Sequence, residues 1–263
     1  MAGILQAAFR HARAMARRTV LPLAVLLLLV GLSVVVRAPD VTLGDAPAAL
    51  PGMCLGVCAD VMPDPTAIQP SLSTINYSAT SCAVQEGMTP PGPQSVVRLT
   101  TAIPNYGLGD FRVGNPQINP ENFYWSACHG HYHTRDYASY RVWKPEGWAA
   151  WTALRAATNQ PSSVLLPLIP PELQPVSGGK QGFCVLDVRN YIPGMPAHGY
   201  GCSTMGISSG WADVYSSGIT GQWVVITGVP SGNYVLEVEV NAQRLFLESE
   251  FTNNSVGVPF NIP

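Results

Sequence analysis

Apolar and polar positions alternate most cleanly between Asn233 and Asn241. Tyr234, Leu236, Val238 and Val240 share one face there, and Glu237 and Glu239 share the other. A period of two marks a half-buried strand, with one face on the core and one in water, as antiparallel sheets allow. Ser95 to Ile103 (SVVRLTTAI) is rich in β-branched residues and predicts a second strand. Pro104-Asn105-Tyr106-Gly107 follows it with turn chemistry. Gln222 to Thr227 predicts a short strand, with Pro230-Ser231-Gly232 as the next turn. Gly147 to Thr158 (GWAAWTALRAAT) predicts one helix, and the Pro-rich stretch from Pro161 to Gly179 predicts a long loop. Strands divided by turn residues predict a mainly β fold. Its expected form is an antiparallel β-sandwich-like domain with long loops and one short helix.

The chain opens on a different pattern. Thr19 to Val36 is an 18-residue run without a charge, preceded by Arg10, Arg13, Arg17 and Arg18, and no acid occurs before Asp40. A basic flank before such a run predicts an N-terminal hydrophobic helix over residues 1–37, a signal peptide or a membrane anchor. The arginines stay on the cytoplasmic side, so the rest is sent outward, to an extracellular or cell-surface location. Ala46-Pro47-Ala48 is a small-residue cleavage candidate but lies far beyond the run. Cleavage and anchoring through residues 19–36 therefore both stay open. Residues 38–59 read as a Pro/Ala-rich linker, and residues 60–263 as the folded domain.

Composition narrows the function classes. Of 263 residues, 47% are apolar and 11% charged, which excludes a disordered chain. Two lysines in total, Lys144 and Lys180, argue against a heptad-based helical bundle. A formal net charge of −2 supplies no basic surface for nucleic acid. Residues 38–263 carry nine basic and sixteen acidic residues, a formal net charge of −7, which suits cationic partners. Cys54, Cys58, Cys82, Cys128, Cys184 and Cys202 all fall in this part. An even number in an exported chain predicts disulfides, although spacing does not choose among the pairings.

The chemistry concentrates in residues 128–133, Cys-His-Gly-His-Tyr-His. His129, His131 and His133 stand at i, i+2 and i+4, which in a strand is one face. Imidazoles so placed can converge on one ion. Such a site suits copper, zinc, iron or nickel, with Cu(II) first in affinity order. Three histidines with zinc and water would be hydrolytic, and with copper redox-active.

The segment WSACHGHYH (125–133) resembles the copper-binding segment of the lysyl oxidase family. DVMPDP (60–65) resembles the start of that family's catalytic domain. GKQGFCVLD (179–187) resembles the segment with the cofactor lysine. GWADVY (210–215), followed by Gln222-Trp223, resembles the segment with the cofactor tyrosine. Gly232-Asn233-Tyr234 and ESEFTNN (248–254) match the C-terminal pattern. The resemblance spans about residues 60–263, in order.

It implies a copper amine oxidase with lysine tyrosylquinone, a cofactor built from Lys180 and Tyr215 with copper and O2. It also implies His129, His131 and His133 as copper ligands. The substrate would be a primary amine or a lysine-bearing protein, converted to an aldehyde with release of hydrogen peroxide and ammonia. Asp213, two residues from Tyr215, is the preferred candidate for the general base, with Asp187 as the alternative. The resemblance implies the family disulfide near copper as Cys128–Cys202; the pairing of Cys54, Cys58, Cys82 and Cys184 stays open, with Cys82–Cys184 and Cys54–Cys58 as one arrangement. Ser126, Gly179 and a position near Tyr140 stand where the family tends to have histidine, which touches the surroundings of the implied ligands rather than the ligands themselves. Two readings compete: a copper-binding module that never crosslinks Lys180 to Tyr215, and a scaffold in which the histidines hold structural zinc.

Overall fold

The computed structural model describes residue 54 and residues 56–178 and 183–263. The hydrophobic segment 1–37, the linker up to residue 53, and Lys180 lie outside the described residues. Fourteen strands are described. They are β1 (Ser71–Tyr77), β2 (Gly92–Arg98), β3 (Thr101–Pro104), β4 (Phe111–Gly114), β5 (Phe123–Ser126), β6 (His131–Thr134) and β7 (Ala138–Trp143), then β8 (Val176–Ser177), β9 (Arg189–Asn190), β10 (Met205–Ile207), β11 (Trp211–Tyr215), β12 (Trp223–Val225), β13 (Gly232–Val240) and β14 (Ser255–Ile262). All their pairings are antiparallel. The sheets run β1-β2-β12, β3-β11-β9 and β14-β13-β7-β8, with the pairs β4-β10 and β5-β6. The fold is mainly β, as expected. Among the described residues no helix is long and apolar enough to cross a membrane.

The stretch 95–103 is two strands rather than one. At Leu99 the backbone N–H turns to the Gln222 carbonyl, so β2 serves the β1-β2-β12 sheet while β3 pairs with β11. Both contribute to one core. Val97, Leu99, Ile103, Phe111, Val224 and Leu236 are all buried in it. The expected helix spans Pro145–Thr158, with Pro145 at its first turn and Asn159 closing it in the left-handed conformation. Two four-residue helices, Cys82–Gln85 and Ser162–Leu165, were not expected from the sequence pattern. Residues 58 and 59, at the end of the stretch read as linker, are buried against the domain, and Cys54 N–H donates to the Glu248 carbonyl.

β13 departs from the half-buried reading. Glu237 and Glu239 are 0% and 2% exposed, so both faces of the strand are covered. The reason lies in the neighbouring strand and helix. Arg141 of β7 reaches Glu237 at 3.0 Å and Glu239 at 2.7 Å. Trp143 and Trp151 donate ring N–H groups to Glu237, and Arg155 pairs with Glu239. Buried charges persist when paired and fully hydrogen-bonded. Polar alternation here records an internal network, not a wet face.

The disulfides are Cys54–Cys58, Cys82–Cys128 and Cys184–Cys202. The first is the local loop that the sequence left open. The implied Cys128–Cys202 pairing is corrected: Cys128 pairs with Cys82, and Cys202 with Cys184. The bridge beside the histidines ties them to the helix Cys82–Gln85, and the other closes the loop after Phe183.

Candidate active site

β5 and β6 form a hairpin whose register sets Tyr124 opposite His133 and Ser126 opposite His131. His129 sits in the connecting turn. Gly130 takes a left-handed φ of 69° there, which a side chain would resist, and this lets the chain return with His129 and His131 toward the same region. The three rings gather, with centroids 5.9 Å apart for His129–His131, 5.2 Å for His129–His133 and 4.8 Å for His131–His133.

Each imidazole engages a neighbour through Nδ1. His131 Nδ1 is 3.0 Å from the His129 carbonyl, and His133 Nδ1 is 3.2 Å from the Tyr124 hydroxyl. His129 Nδ1 is 2.9 Å from Glu86 Oε1. With Nδ1 so occupied, the Nε2 atoms become the metal-facing ones, and those of His131 and His133 already lie 3.1 Å apart. Two imidazole nitrogens at that separation suit a common cation. The donor set therefore fits a copper-type ion. His133 is wholly buried, whereas His131 opens to solvent, so the site is both anchored and accessible.

Glu86 was not anticipated. It follows the helix Cys82–Gln85 and joins His129 and His133 in one group of potential metal-binding side chains. Burial raises its pKa, but the Ser126 hydroxyl and the His129 imidazole outweigh that, and the net shift is downward. Nothing in the local sequence marks it, because long-range contacts place it: the Cys82–Cys128 bridge and the packing of Ala83 and Met88 with Tyr77, Val96 and Trp223.

The second centre lies on β11. Tyr215 is partly buried, its hydroxyl donates to the Cys184 carbonyl, and Phe183 stacks on its ring. Burial, then the nearby Asp213 and Tyr140, push its phenol pKa upward, so it holds its proton. Asp213 is 1% exposed, and burial raises its pKa well above the carboxylate range. The Tyr137 hydroxyl and the Leu186 and Val214 N–H groups are close enough to favour its ionised form, yet none meets its oxygens in full hydrogen-bond geometry. Asp187 is spent otherwise: its carboxylate accepts from the Ser208 N–H and hydroxyl and from the Gly199 and Tyr200 N–H groups. That is a loop-ordering role.

One cleft of about 390 Å³ joins the two centres, lined by His129, His131, Phe183, Leu186, Val188 and Tyr215 among others. Its walls are mostly apolar. Val214 and Tyr215 of β11 line it and Asp213 does not.

The lysyl oxidase family profile matches residues 171–261. The chain is 30% identical over 209 residues to lysyl oxidase homolog 1 of Homo sapiens, covering 75% of this chain and 32% of that protein. It is 30% identical over 171 residues to lysyl oxidase homolog 3 of Mus musculus, covering 64% of this chain and 19% of that protein. To a protein-lysine 6-oxidase of Sus scrofa it is 28% identical over 209 residues, 75% of this chain and 74% of that sequence. The chain spans about a third of the length of the first of these relatives.

Proposed function

The chain belongs to the lysyl oxidase family, and on that premise we propose that it is an exported copper-dependent amine oxidase of the lysyl oxidase type. The observation that carries the reading is the shared cleft: a three-imidazole site and a tyrosine held in place open onto the same apolar-walled space. The net reaction joins a primary amine, O2 and water, and yields an aldehyde, ammonia and hydrogen peroxide. The substrate is a lysine side chain of a protein or a small primary amine.

Copper and a lysine tyrosylquinone, when present, supply the electrophile for the amine, the sink for its electrons and the reduction of O2. The chain's own residues do the rest. His129, His131 and His133 hold the copper. Tyr215 and Lys180 are the quinone precursors. Phe183 stands three positions after Lys180, and three residues of chain reach at most about 11 Å, so its packing on Tyr215 supports that pairing. Leu186 and Val188 narrow the cleft and limit water around the reacting centre. Asp213 is the candidate general base. Burial favours its neutral form and it does not line the cleft, so the assignment rests on its place two residues from Tyr215 on β11. Three disulfides among the described residues support an oxidising, extracellular setting, with residues 1–37 as signal or anchor.

The test is a peptide map of protein expressed with copper, run beside peroxide release from a panel of amines. A crosslinked Lys180–Tyr215 peptide with amine-dependent peroxide is expected. Bound copper with Lys180 and Tyr215 in separate peptides and no peroxide would overturn the oxidase reading in favour of a non-catalytic copper-binding module. Full zinc occupancy without copper uptake would favour a structural site.

A further inference from the structure

Glu86 belongs to none of the sequence motifs, yet it touches the histidine cluster. Its Oε1 accepts from His129 Nδ1 at 2.9 Å and from the Ser126 hydroxyl. Ser126 is 3% exposed, and its Oγ in turn accepts the His129 backbone N–H at 3.1 Å. So Ser126, the residue that stands where the family tends to have histidine, completes a three-member chain to the ligand. Glu86 lies 43 residues from His129 in sequence. What delivers it is the bridge from Cys82, four positions before Glu86, to Cys128, one position before His129.

The three imidazoles are held by unequal partners. His131 has a backbone carbonyl and His133 a phenol, both neutral. At His129 the Nδ1 partner is a carboxylate, Glu86 Oε1 at 2.9 Å. A metal-bound histidine that donates its other ring N–H to a carboxylate is fixed in orientation and becomes a stronger donor. We propose that Glu86 is the positioning carboxylate of the copper site, holding His129 through Nδ1 so that Nε2 meets the ion, with Ser126 as its link and Cys82–Cys128 as its tether. This rests on the copper reading above. Oε1 already accepts from His129 and Ser126, which is the bonding of a group that holds a ligand in place.

The experiment measures Cu(II) affinity by chelator competition at fixed pH in the full chain, in Glu86→Gln, in Glu86→Ala and in His133→Ala. It adds the Cu(II) paramagnetic resonance spectrum and thermal unfolding of the metal-free proteins. Glu86→Gln is expected to bind Cu(II) about 10- to 100-fold more weakly, the usual effect of losing such a partner. A changed copper hyperfine pattern and a near-unchanged metal-free melt should accompany it. Wild-type affinity and spectrum in both Glu86 variants, with copper lost in His133→Ala, would overturn the proposal and leave the copper reading standing. Weaker binding with an unchanged spectrum and a lowered metal-free melt would assign Glu86 a folding role only, and overturns it too. If the wild-type chain binds Cu(II) no better than His133→Ala, the copper reading itself fails and takes the proposal with it.

Discussion

Phe183 lies flat on Tyr215, with ring centroids 4.1 Å apart and planes 26° from parallel. A stacked aromatic pair contributes about 0.5–1.5 kcal/mol beyond its buried area. Its larger consequence is orientation, since the Tyr215 hydroxyl is also tied to the Cys184 carbonyl, so ring and oxygen are both constrained.

Phe183→Ala should therefore leave copper binding intact and slow formation of the Lys180–Tyr215 crosslink. A misplacement near 1 Å costs about a hundredfold in a positioned reaction. Quinone absorbance followed after adding copper and O2 reads the rate directly. A wild-type rate in the variant would remove Phe183 from the assembly of the site.

Asp213 yields a prediction that separates stability from activity. Its folded-state pKa lies above its unfolded value because burial disfavours the charge. Such a group contributes stability at low pH that is lost as pH rises through the folded pKa. Asp213→Asn removes that loss, so the variant's Tm relative to wild type should climb as pH increases. Its kcat for amine oxidation should fall by about 10²- to 10⁴-fold if Asp213 is the base. An unaltered kcat would reassign the proton transfer to another group.

The histidine cluster was legible because its three histidines sit within five residues, although the turn at Gly130, not one strand face, brings His129 to the other two. The β13 pattern was legible as a strand but not as a buried one. Alternation reports which residues share a face, whereas burial of Glu237 and Glu239 depends on Arg141, 96 residues away in the case of Glu237. Glu86 escaped for the same reason, being placed by a long-range bridge. That bridge was not legible either, since the pairing implied by the family resemblance, Cys128–Cys202, is not the one the structure forms.

The buried network gives a stability prediction. Glu237 is disfavoured as an anion by burial, but Arg141 and the donors Ser255, Trp151 and Trp143 lower its pKa overall. Removing one partner of a buried pair costs about 3–5 kcal/mol. Arg141→Met should lose that much in urea unfolding at pH 7. A lowered folded pKa gives stability that is present above the unfolded value and lost as pH falls through the folded one. The gap between wild type and Arg141→Met should accordingly narrow on acidification through the carboxylate range. A gap independent of pH would mean that packing on Trp151, which Arg141 overlies at 5.6 Å, dominates instead.

The cleft walls predict substrate preference. Among the described lining residues there is no carboxylate. A second ammonium on the substrate would lose hydration there without gaining a partner. Monoamines on an apolar shaft should thus have higher kcat/KM than diamines of equal length. Val188→Asp should shift that ratio toward diamines by about tenfold, the value of roughly 1.4 kcal/mol of new ion pairing. Steady-state peroxide release with both amine classes measures it, and a ratio that does not move would place the amine's shaft away from Val188.

The bridges of the domain should differ in what they protect. Cys82–Cys128 closes a 46-residue separation and Cys54–Cys58 one of four. Chain entropy assigns the first about 4 kcal/mol and the second about 2 kcal/mol. The functional contrast should be sharper than the energetic one. Cys82→Ser with Cys128→Ser frees the helix that carries Glu86 and should weaken Cu(II) binding along with stability. Cys54→Ser with Cys58→Ser alters a loop whose backbone bonds run to Glu248 and Gly109, and should leave copper affinity unchanged. Chelator competition and urea unfolding on both double variants separate the two effects. Equal copper affinity in both would show that the hairpin holds its histidines without help from the tethered helix.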